Sequence, residues 1–276
     1  MKLREIFANR LLLIGSVLTS IFLLGIIVGP WLSPYSPTDS DFMAILAPPS
    51  LEHPLGTDSF GRDVLTRVLH GAGVSLMISV VGVLTAAALG VAAGLVAAHY
   101  GGWRSMLLTR FSDLLFSFPS FVLALFLMVI LGYGTANIAI AIALIYLPIF
   151  MRLTRNLALV VRSEPWVEAA AVMGQSSRSI MLREILPNIA APIYVQFAIG
   201  VAFGIVIEAG LSFLGLGVQP PAPSLGTIMA DGREYFQRAP WVLTMSGIAI
   251  SAALLGLNLL SDGIRDIVDP RLKGRL

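Results

Sequence analysis

Ionisable side chains concentrate in one stretch between two long apolar runs, from Val161 to Ile189, which we call the charged segment. A stretch of this polarity is not stable in hydrocarbon, so it must lie in water or against a partner. Its carboxylates and guanidinium groups can form ion pairs, either within the segment or with another protein. The ionisable residues are Arg162, Glu164, Glu168, Arg178, Arg183 and Glu184.

The order of residues in the charged segment predicts two short helices. A first helix is favoured by Pro165, which suits a first turn, and by the alanines from Ala169 to Ala171. Gly174 offers a turn, after which one of the serines at 176 and 177 can cap a second helix. We expect Pro187 to limit the end of that second helix.

The remaining candidates for site chemistry are sparse. The chain has no cysteine, so it can form no disulfide and no thiolate metal site of its own. Its histidines, His53, His70 and His99, are scattered, which argues against an intrinsic metal site. Asp113 lies close to Arg110, and we expect a local ion pair between them.

Composition identifies the setting as a membrane. Of the 276 residues, 57% are hydrophobic and 12% are charged, against roughly 25% charged in soluble proteins. Hydropathy predicts six spans of about 20 residues each. The first of them is too long for a signal peptide and is expected to be retained. The spans lie near 11–31, 74–98, 112–132, 137–160, 190–212 and 241–262.

The basic residues predict how these spans are oriented. With the first residue in the cytoplasm, fourteen of the 18 Lys and Arg residues fall on the inner side and four on the outer side. Both termini and the charged segment are therefore predicted to be cytoplasmic. Two long outer segments follow, Leu32 to Gly73 and Ser212 to Pro240, the second with a short helix near Ser224 to Phe236.

Small residues crowd the second predicted span. Gly90 and Gly94 form a GxxxG pair, which permits close approach of helix backbones. Packing within the chain and a contact between subunits both explain this pair.

Four sets of residues carry a resemblance to a known family. Glu168-Ala169-Ala170, Gly174 and Leu186-Pro187 resemble the EAA loop of ATP-binding-cassette importer permeases, with Glu184 departing from the apolar residue usual there. The runs His53 to Asp63, Glu208 to Gly217 and Asn258 to Pro270 resemble signatures of the dipeptide, oligopeptide and nickel permeases, in particular C-type subunits of dipeptide transporters.

The resemblance implies an all-α polytopic membrane protein with six transmembrane helices, the type I importer permease fold and a cytoplasmic coupling helix. It implies a first part, residues 1–73, and a permease core, residues 74–276. It also implies a bacterial inner-membrane location. The implied partners are a homologous second permease, two ATPase subunits that bind ATP and Mg, an extracytoplasmic solute-binding protein and the lipid bilayer, with no nucleic acid. The chain has no GxxxxGK[ST] run to hold phosphates itself.

Residues matching the family patterns acquire expected roles, none of them catalytic and none in a cofactor or metal site. A structural role is the alternative for some of these residues. Asp58 or Ser59 would cap a helix that begins at Gly61, and Glu208 would form a hydrogen bond to the loop that follows it. The expected ATPase-coupling residues are Glu168, Ala169, Ala170, Gly174, Arg178, Arg183, Leu186 and Pro187. The expected path or outer gate is Glu208, Ser212 and Phe213, and the expected binding-protein contact is Asp58, Arg62 and Asp63.

Other functions remain open at this point. Within the family, nickel chelates, glutathione and oligosaccharides are alternative substrates to peptides. A stand-alone secondary transporter would need ion-coupling carboxylates and broken helices, but the middles of the predicted spans are nearly free of charge. A membrane enzyme would need a catalytic motif, and the sequence has neither HExxH nor GxSxG.

Overall fold

The computed structural model describes residues 10–268. Apolar runs of this length fold as helices because a helix satisfies its own backbone hydrogen bonds in lipid. No strand is present within the described range. The helices are α1 (Arg10–Leu32), α2 (Val64–Tyr100), α3 (Gly102–Phe116), α4 (Ser120–Leu131), α5 (Thr135–Arg162), α6 (Pro165–Val172), α7 (Ser177–Phe213), α8 (Leu225–Glu234) and α9 (Pro240–Val268).

The number of spans agrees with the sequence prediction. Among residues 10–268, five helices are long and apolar enough to cross a membrane, and the bent pair α3–α4 makes a sixth if it counts as one span. The first predicted span corresponds to α1 and the last to α9. The all-α polytopic fold class is therefore confirmed.

The third span, 112–132, was predicted as one helix, and this prediction is wrong. It is divided between α3 and α4, which meet at an angle of 93°. The break falls at Ser117 to Pro119, where Pro119 precedes the first turn of α4 and disfavours continuation of the helix through the residue before it.

Asp113 pairs with Arg152 of α5 at 2.5 Å, so the expected pair with Arg110 is also wrong.

Helix α2 begins ten residues before the predicted span because its cap lies at Asp63. The Asp63 carboxylate accepts a hydrogen bond from the backbone N–H of Thr66 at 2.8 Å. The expected cap at Asp58 or Ser59, with a helix starting at Gly61, is therefore wrong.

Helices α2 and α5 pack closely through the small residues noted in the sequence. A Cβ atom added to Gly90 would lie 2.7 Å from the carbonyl oxygen of Leu147, and one added to Gly94 would lie 2.7 Å from that of Met151. The GxxxG pair therefore packs within the chain. The main core lies between α2, α4, α5 and α7, and includes Phe150 and Ile142.

The two predicted outer segments form a packed cap, residues 33–63 and 214–239, at one end of the bundle. Trp241 donates from Nε1 to the carbonyl of Thr57 at 3.1 Å, which joins the first segment to α9. The predicted short helix is α8, where Ser224 and Thr227 bond each other's backbone N–H groups in a capping box. A second core, with Val64, Leu225 and Val242, lies beneath the cap.

Candidate functional site

The charged segment forms a small helical hairpin at the end of the bundle opposite the cap. Helix α6 begins at Pro165 as predicted, and buries Val167 and Ala170 against the bundle. Glu168 and Ala169 lie on its exposed side. The segment is therefore fixed on one face and open on the other.

A left-handed turn follows α6. Gly174 has φ +80°, a conformation that favours glycine. The backbone N–H of Gln175 donates to the carbonyl of Ala170 at 3.1 Å and closes the turn. Just before it, Val172 is 88% exposed and Met173 is 81% exposed. Two large apolar side chains are thus presented at the tip of the hairpin.

The turn is tied to the second helix by side chains. Ser176 caps that helix by accepting from the backbone N–H of Ser179, as one of the two predicted capping positions. Gln175 donates from Nε2 to Ser179 Oγ at 3.0 Å and to Glu184 Oε1 at 3.2 Å. Glu184, the departure from the family pattern, therefore braces the turn.

Helix α7 does not end at Pro187, which corrects that expectation. A π-helical stretch, Ile180–Ile185, leads directly into the long helix, so Pro187 lies inside α7, where it donates no backbone hydrogen bond. Because α7 continues to Phe213, the hairpin and the far end of the bundle share one helix. Arg178 and Arg183 are exposed and form no ion pair with any other described residue.

Glu208 is fully buried near the cap end of α7. Its Oε1 accepts from Ser212 Oγ at 2.6 Å, and Ser212 Oγ accepts from the backbone N–H of Val218 at 3.2 Å. The Glu208 carboxylate thus connects α7 to the Gly-rich turn of the cap. Its other oxygen, Oε2, has no hydrogen-bond partner among the described residues.

A separate apolar cavity of about 400 Å³ opens between α4, α5 and α7. Tyr146, Phe203 and Gly210 are among its lining residues, whereas the three expected path residues of α7 are not. Phe213 instead lies beneath the guanidinium of Arg233, 5.6 Å from its ring centre.

The three charged residues expected on the outer side are part of two buried pairings. Asp58 Oδ2 accepts from Arg62 Nε at 2.7 Å and lies 3.3 Å from Arg67 Nε. Asp231 of α8 lies 3.3 Å from Arg62 and 3.4 Å from Arg67. We call these four residues the cap ion cluster. Burial raises the pKa of Asp231, an effect that Arg67 and Arg62 oppose.

Asp63 belongs to the second pairing. It lies 3.0 Å from His53 Nδ1, and the His53 ring packs on Tyr35 with centres 4.9 Å apart. The sequence did not predict the contact between Arg67 and Asp231, because the two residues lie 164 positions apart. The only sequence signal for it is that they have opposite charges and both fall in predicted outer segments. No three His, Asp or Glu side chains between residues 10 and 268 group as ligands for a metal ion.

Comparisons with known proteins agree with this architecture. Residues 90–274 match the family described as binding-protein-dependent transport system inner membrane component, and residues 2–49 match the N-terminal TM domain of oligopeptide transport permease C. The dipeptide transport system permease protein of Alkalihalophilus pseudofirmus is 39% identical over 98% of this chain and 89% of its own length. The glutathione transport system permease protein of Escherichia coli is 40% identical over 88% of this chain and 81% of its own.

A solved structure supports the fold. A chain of the MetNI methionine ABC transporter, in an inward-facing conformation, aligns with a TM-score of 0.56 over 71% of this chain and 95% of that chain, at 16% identity. This likeness concerns the fold alone. The family match over residues 90–274, two thirds of the chain, shows that this chain belongs to the family of binding-protein-dependent transport system inner membrane components.

Proposed function

We propose that this chain is one of two homologous permease subunits of an ATP-driven importer of di- and oligopeptides. It forms half of a translocation path that opens alternately to the two sides of the membrane. The permeases of dipeptide systems at 39% and 35% identity, each over most of both chains, support the peptide substrate.

The observation that carries the proposal is the open face of the helical hairpin in the charged segment. Val172 and Met173 are more exposed than any other large apolar side chains of that segment. Exposed apolar side chains grouped on a polar segment are typical of an interaction site. We infer that an ATPase subunit covers them, with Glu168, Arg178 and Arg183 meeting its polar rim.

The continuous helix α7 explains how such a contact would act. Ile180, Ile185 and Ile189 are buried in the main core, so the hairpin cannot move without displacing the bundle. Packed helices respond to a push at one end as rigid bodies. ATP and Mg are then bound by the partner ATPases, whose closure moves α7 and the helices packed on it.

On the opposite side, the cap offers a surface for a solute-binding protein. Arg62 lies over the ring of Phe60 at 4.6 Å, and Phe60 is 53% exposed. We propose that Asp58 and Asp63 position this surface from below, and that Arg62 and Phe60 make the contact. Glu208 and Ser212 are proposed to hold the outer gate, with Phe213 beside it.

We further propose that the chain has two parts, residues 1–73 and 74–276, in the inner membrane of a bacterium with both termini in the cytoplasm. The separate family matches to residues 2–49 and 90–274 support two parts. The fourteen-to-four distribution of basic residues supports the orientation.

Coupling is tested by co-purifying the chain with its ATPase subunits. Met173→Asp is expected to reduce ATPase recovery at least tenfold, because it places a charge in an apolar contact. Met43→Asp makes the same change at an exposed site in the cap, where Met43 is 96% exposed, and is expected to leave recovery unchanged. Equal recovery for the two variants would refute the docking assignment.

The substrate is tested by uptake into proteoliposomes that hold both permeases and both ATPases, with the binding protein added outside. Labelled dipeptides are expected to accumulate in an ATP-dependent manner. Glutathione is the second candidate, since the glutathione permease is as similar as the dipeptide permease. Uptake of glutathione or of a nickel chelate without uptake of dipeptides would replace the proposed substrate.

A further inference from the structure

A cavity of about 620 Å³ lies beside the charged segment, where the ends of α2 and α5 meet α3. Three of the residues that line it are arginines, Arg110 of α3 and Arg155 and Arg162 of α5. Its one acidic lining residue, Asp113, already pairs with Arg152. The walls therefore carry more positive than negative charge. We call this space the arginine cavity.

The contacts of the three arginines leave their charges uncompensated. Arg155 donates from Nε to Ser105 Oγ at 3.3 Å, and Arg162 donates to the carbonyl of Ala98 at 2.8 Å. These neutral partners fix the two guanidinium groups in place without neutralising them. The Arg110 guanidinium makes no hydrogen bond or ion pair with any other residue in the described part of the chain. Planar guanidinium groups held in this way suit a phosphate or carboxylate.

Helix α3 shows what kind of molecule would carry that anion. Its buried residues are Ser105 and Ser112, whereas Trp103 and Leu107 are 65% and 57% exposed. Arg104 and Arg110 are exposed on the same helix, and exposed apolar, aromatic and basic side chains together are typical of a helix at a membrane interface. Arg104 lies over the ring of Tyr100 at 4.8 Å, the pairing of aromatic and basic residues found at membrane interfaces.

The rim of the cavity continues this apolar surface. Met106 and Leu159 both line the cavity and are 58% and 40% exposed. The arginine cavity therefore has guanidinium groups and exposed apolar side chains together in its lining. This combination fits an amphiphile with an anionic head and a hydrocarbon tail.

We propose that the arginine cavity binds the phosphate group of an anionic phospholipid from the cytoplasmic leaflet, with an acyl chain along Met106 and Leu159. Basic pockets between membrane helices on the cytoplasmic side bind such headgroups. The lipid joins α3 to α5, and α5 leads directly into the charged segment. The inference rests on the proposed cytoplasmic position of that segment.

The test uses the full chain, purified in an uncharged detergent and stripped of lipid. Short-chain phosphatidylglycerol, phosphatidylcholine and inorganic phosphate are titrated separately, with native mass spectrometry and melting temperature as readouts. Phosphatidylglycerol is expected to bind and to raise the melting temperature. Phosphatidylcholine and inorganic phosphate are expected to do neither in the same concentration range.

Arg110→Gln is the main variant, since its guanidinium has no contact that the fold needs. It is expected to weaken phosphatidylglycerol binding roughly fivefold, and adding Arg155→Gln is expected to weaken it by about as much again. Arg238→Gln is the matched control, because Arg238 is exposed at the other end of the bundle. It is expected to change binding less than twofold.

Three results would overturn the proposal. Equal losses for Arg110→Gln and Arg238→Gln would indicate non-specific attraction. Stabilisation by inorganic phosphate equal to that by phosphatidylglycerol would indicate a free anion site. Lipid that binds the isolated chain but is absent from the assembled complex would indicate that an acidic residue of a partner fills the cavity. These readouts need no transport, so failure of the peptide proposal leaves them intact.

Discussion

At the scale of single residues, burial decides what the cap-side carboxylates can do. Glu208 has 0% exposure and Asp58 has 1%, so neither meets solvent in this conformation. A buried carboxylate is stable only when hydrogen bonds or opposite charges replace its water. Glu208 has Ser212, and Asp58 has two arginines. Both residues therefore hold elements together, which fits the proposed gate at Glu208 and the proposed positioning role of Asp58.

The contribution of the Glu208 hydrogen bond to stability can be measured separately from that of its charge. Glu208→Ala leaves the Ser212 hydroxyl without its acceptor, which is expected to cost about 2 kcal/mol of stability. Glu208→Gln keeps an acceptor oxygen and is expected to melt close to the native temperature. Thermal unfolding and protease cleavage within 214–223 measure both effects.

Glu234→Gln is the control, because Glu234 is exposed on α8. If the Gln and Ala variants at 208 were equally unstable, the charge of Glu208 would matter and the hydrogen bond would not.

A substitution at Asp58 tests how much the cap ion cluster contributes to stability. Removing its charge with Asp58→Asn leaves Arg67, which is 3% exposed, with Asp231 alone as an acidic partner. Breaking a buried ion pair from one side is expected to cost about 3 kcal/mol. The loss is measured as a lower melting temperature in detergent. Glu52→Gln, at an exposed position of the same cap segment, is expected to melt like the native chain.

At the scale of elements, the hairpin of the charged segment depends on one backbone conformation. A side chain at Gly174 would meet no atom within 4 Å, yet its φ of +80° is unfavourable for any other residue. Gly247 of α9 also has open space around it, but its φ lies in the ordinary helical range. Alanine meets no steric obstacle at either glycine, so a comparison of the two substitutions measures the effect of backbone strain at Gly174.

Gly174→Ala is expected to strain the turn by about 1–2 kcal/mol and to lower ATPase recovery and substrate-stimulated hydrolysis. Gly247→Ala is expected to be neutral or to stabilise α9 by about 0.5–1 kcal/mol. Co-purification and hydrolysis assays on the assembled complex measure the difference. Identical behaviour of the two variants would mean that the turn geometry is not needed for coupling.

At the scale of the whole molecule, orientation is the property on which the proposals depend. The absence of native cysteine makes single-cysteine labelling possible without background. Ser163 and Met43 are both exposed and lie at opposite ends of the bundle. In intact cells, an impermeant maleimide is expected to label Met43→Cys and to spare Ser163→Cys until the membrane is opened. Labelling of Ser163→Cys from outside would invert the proposed orientation.

Local sequence determined much of this protein. Apolar runs predicted the spans, because lipid requires each run to satisfy its backbone within a helix. The Pro165, Ala169 and Gly174 pattern predicted α6 and its turn, since caps and turns depend on near neighbours. The family membership is confirmed by the matches over residues 90–274. The roles of individual residues in coupling, gating and docking stay predictions.

Tertiary structure alone decided the rest. The 93° bend between α3 and α4, the continuity of α7 past Pro187 and the pairing of Asp113 with Arg152 each correct a local expectation. The cap ion cluster unites residues from both outer segments, and the arginine cavity unites the ends of three helices. Such contacts depend on which helix faces are brought together, and periodicity along one helix carries no information about its neighbour's charge.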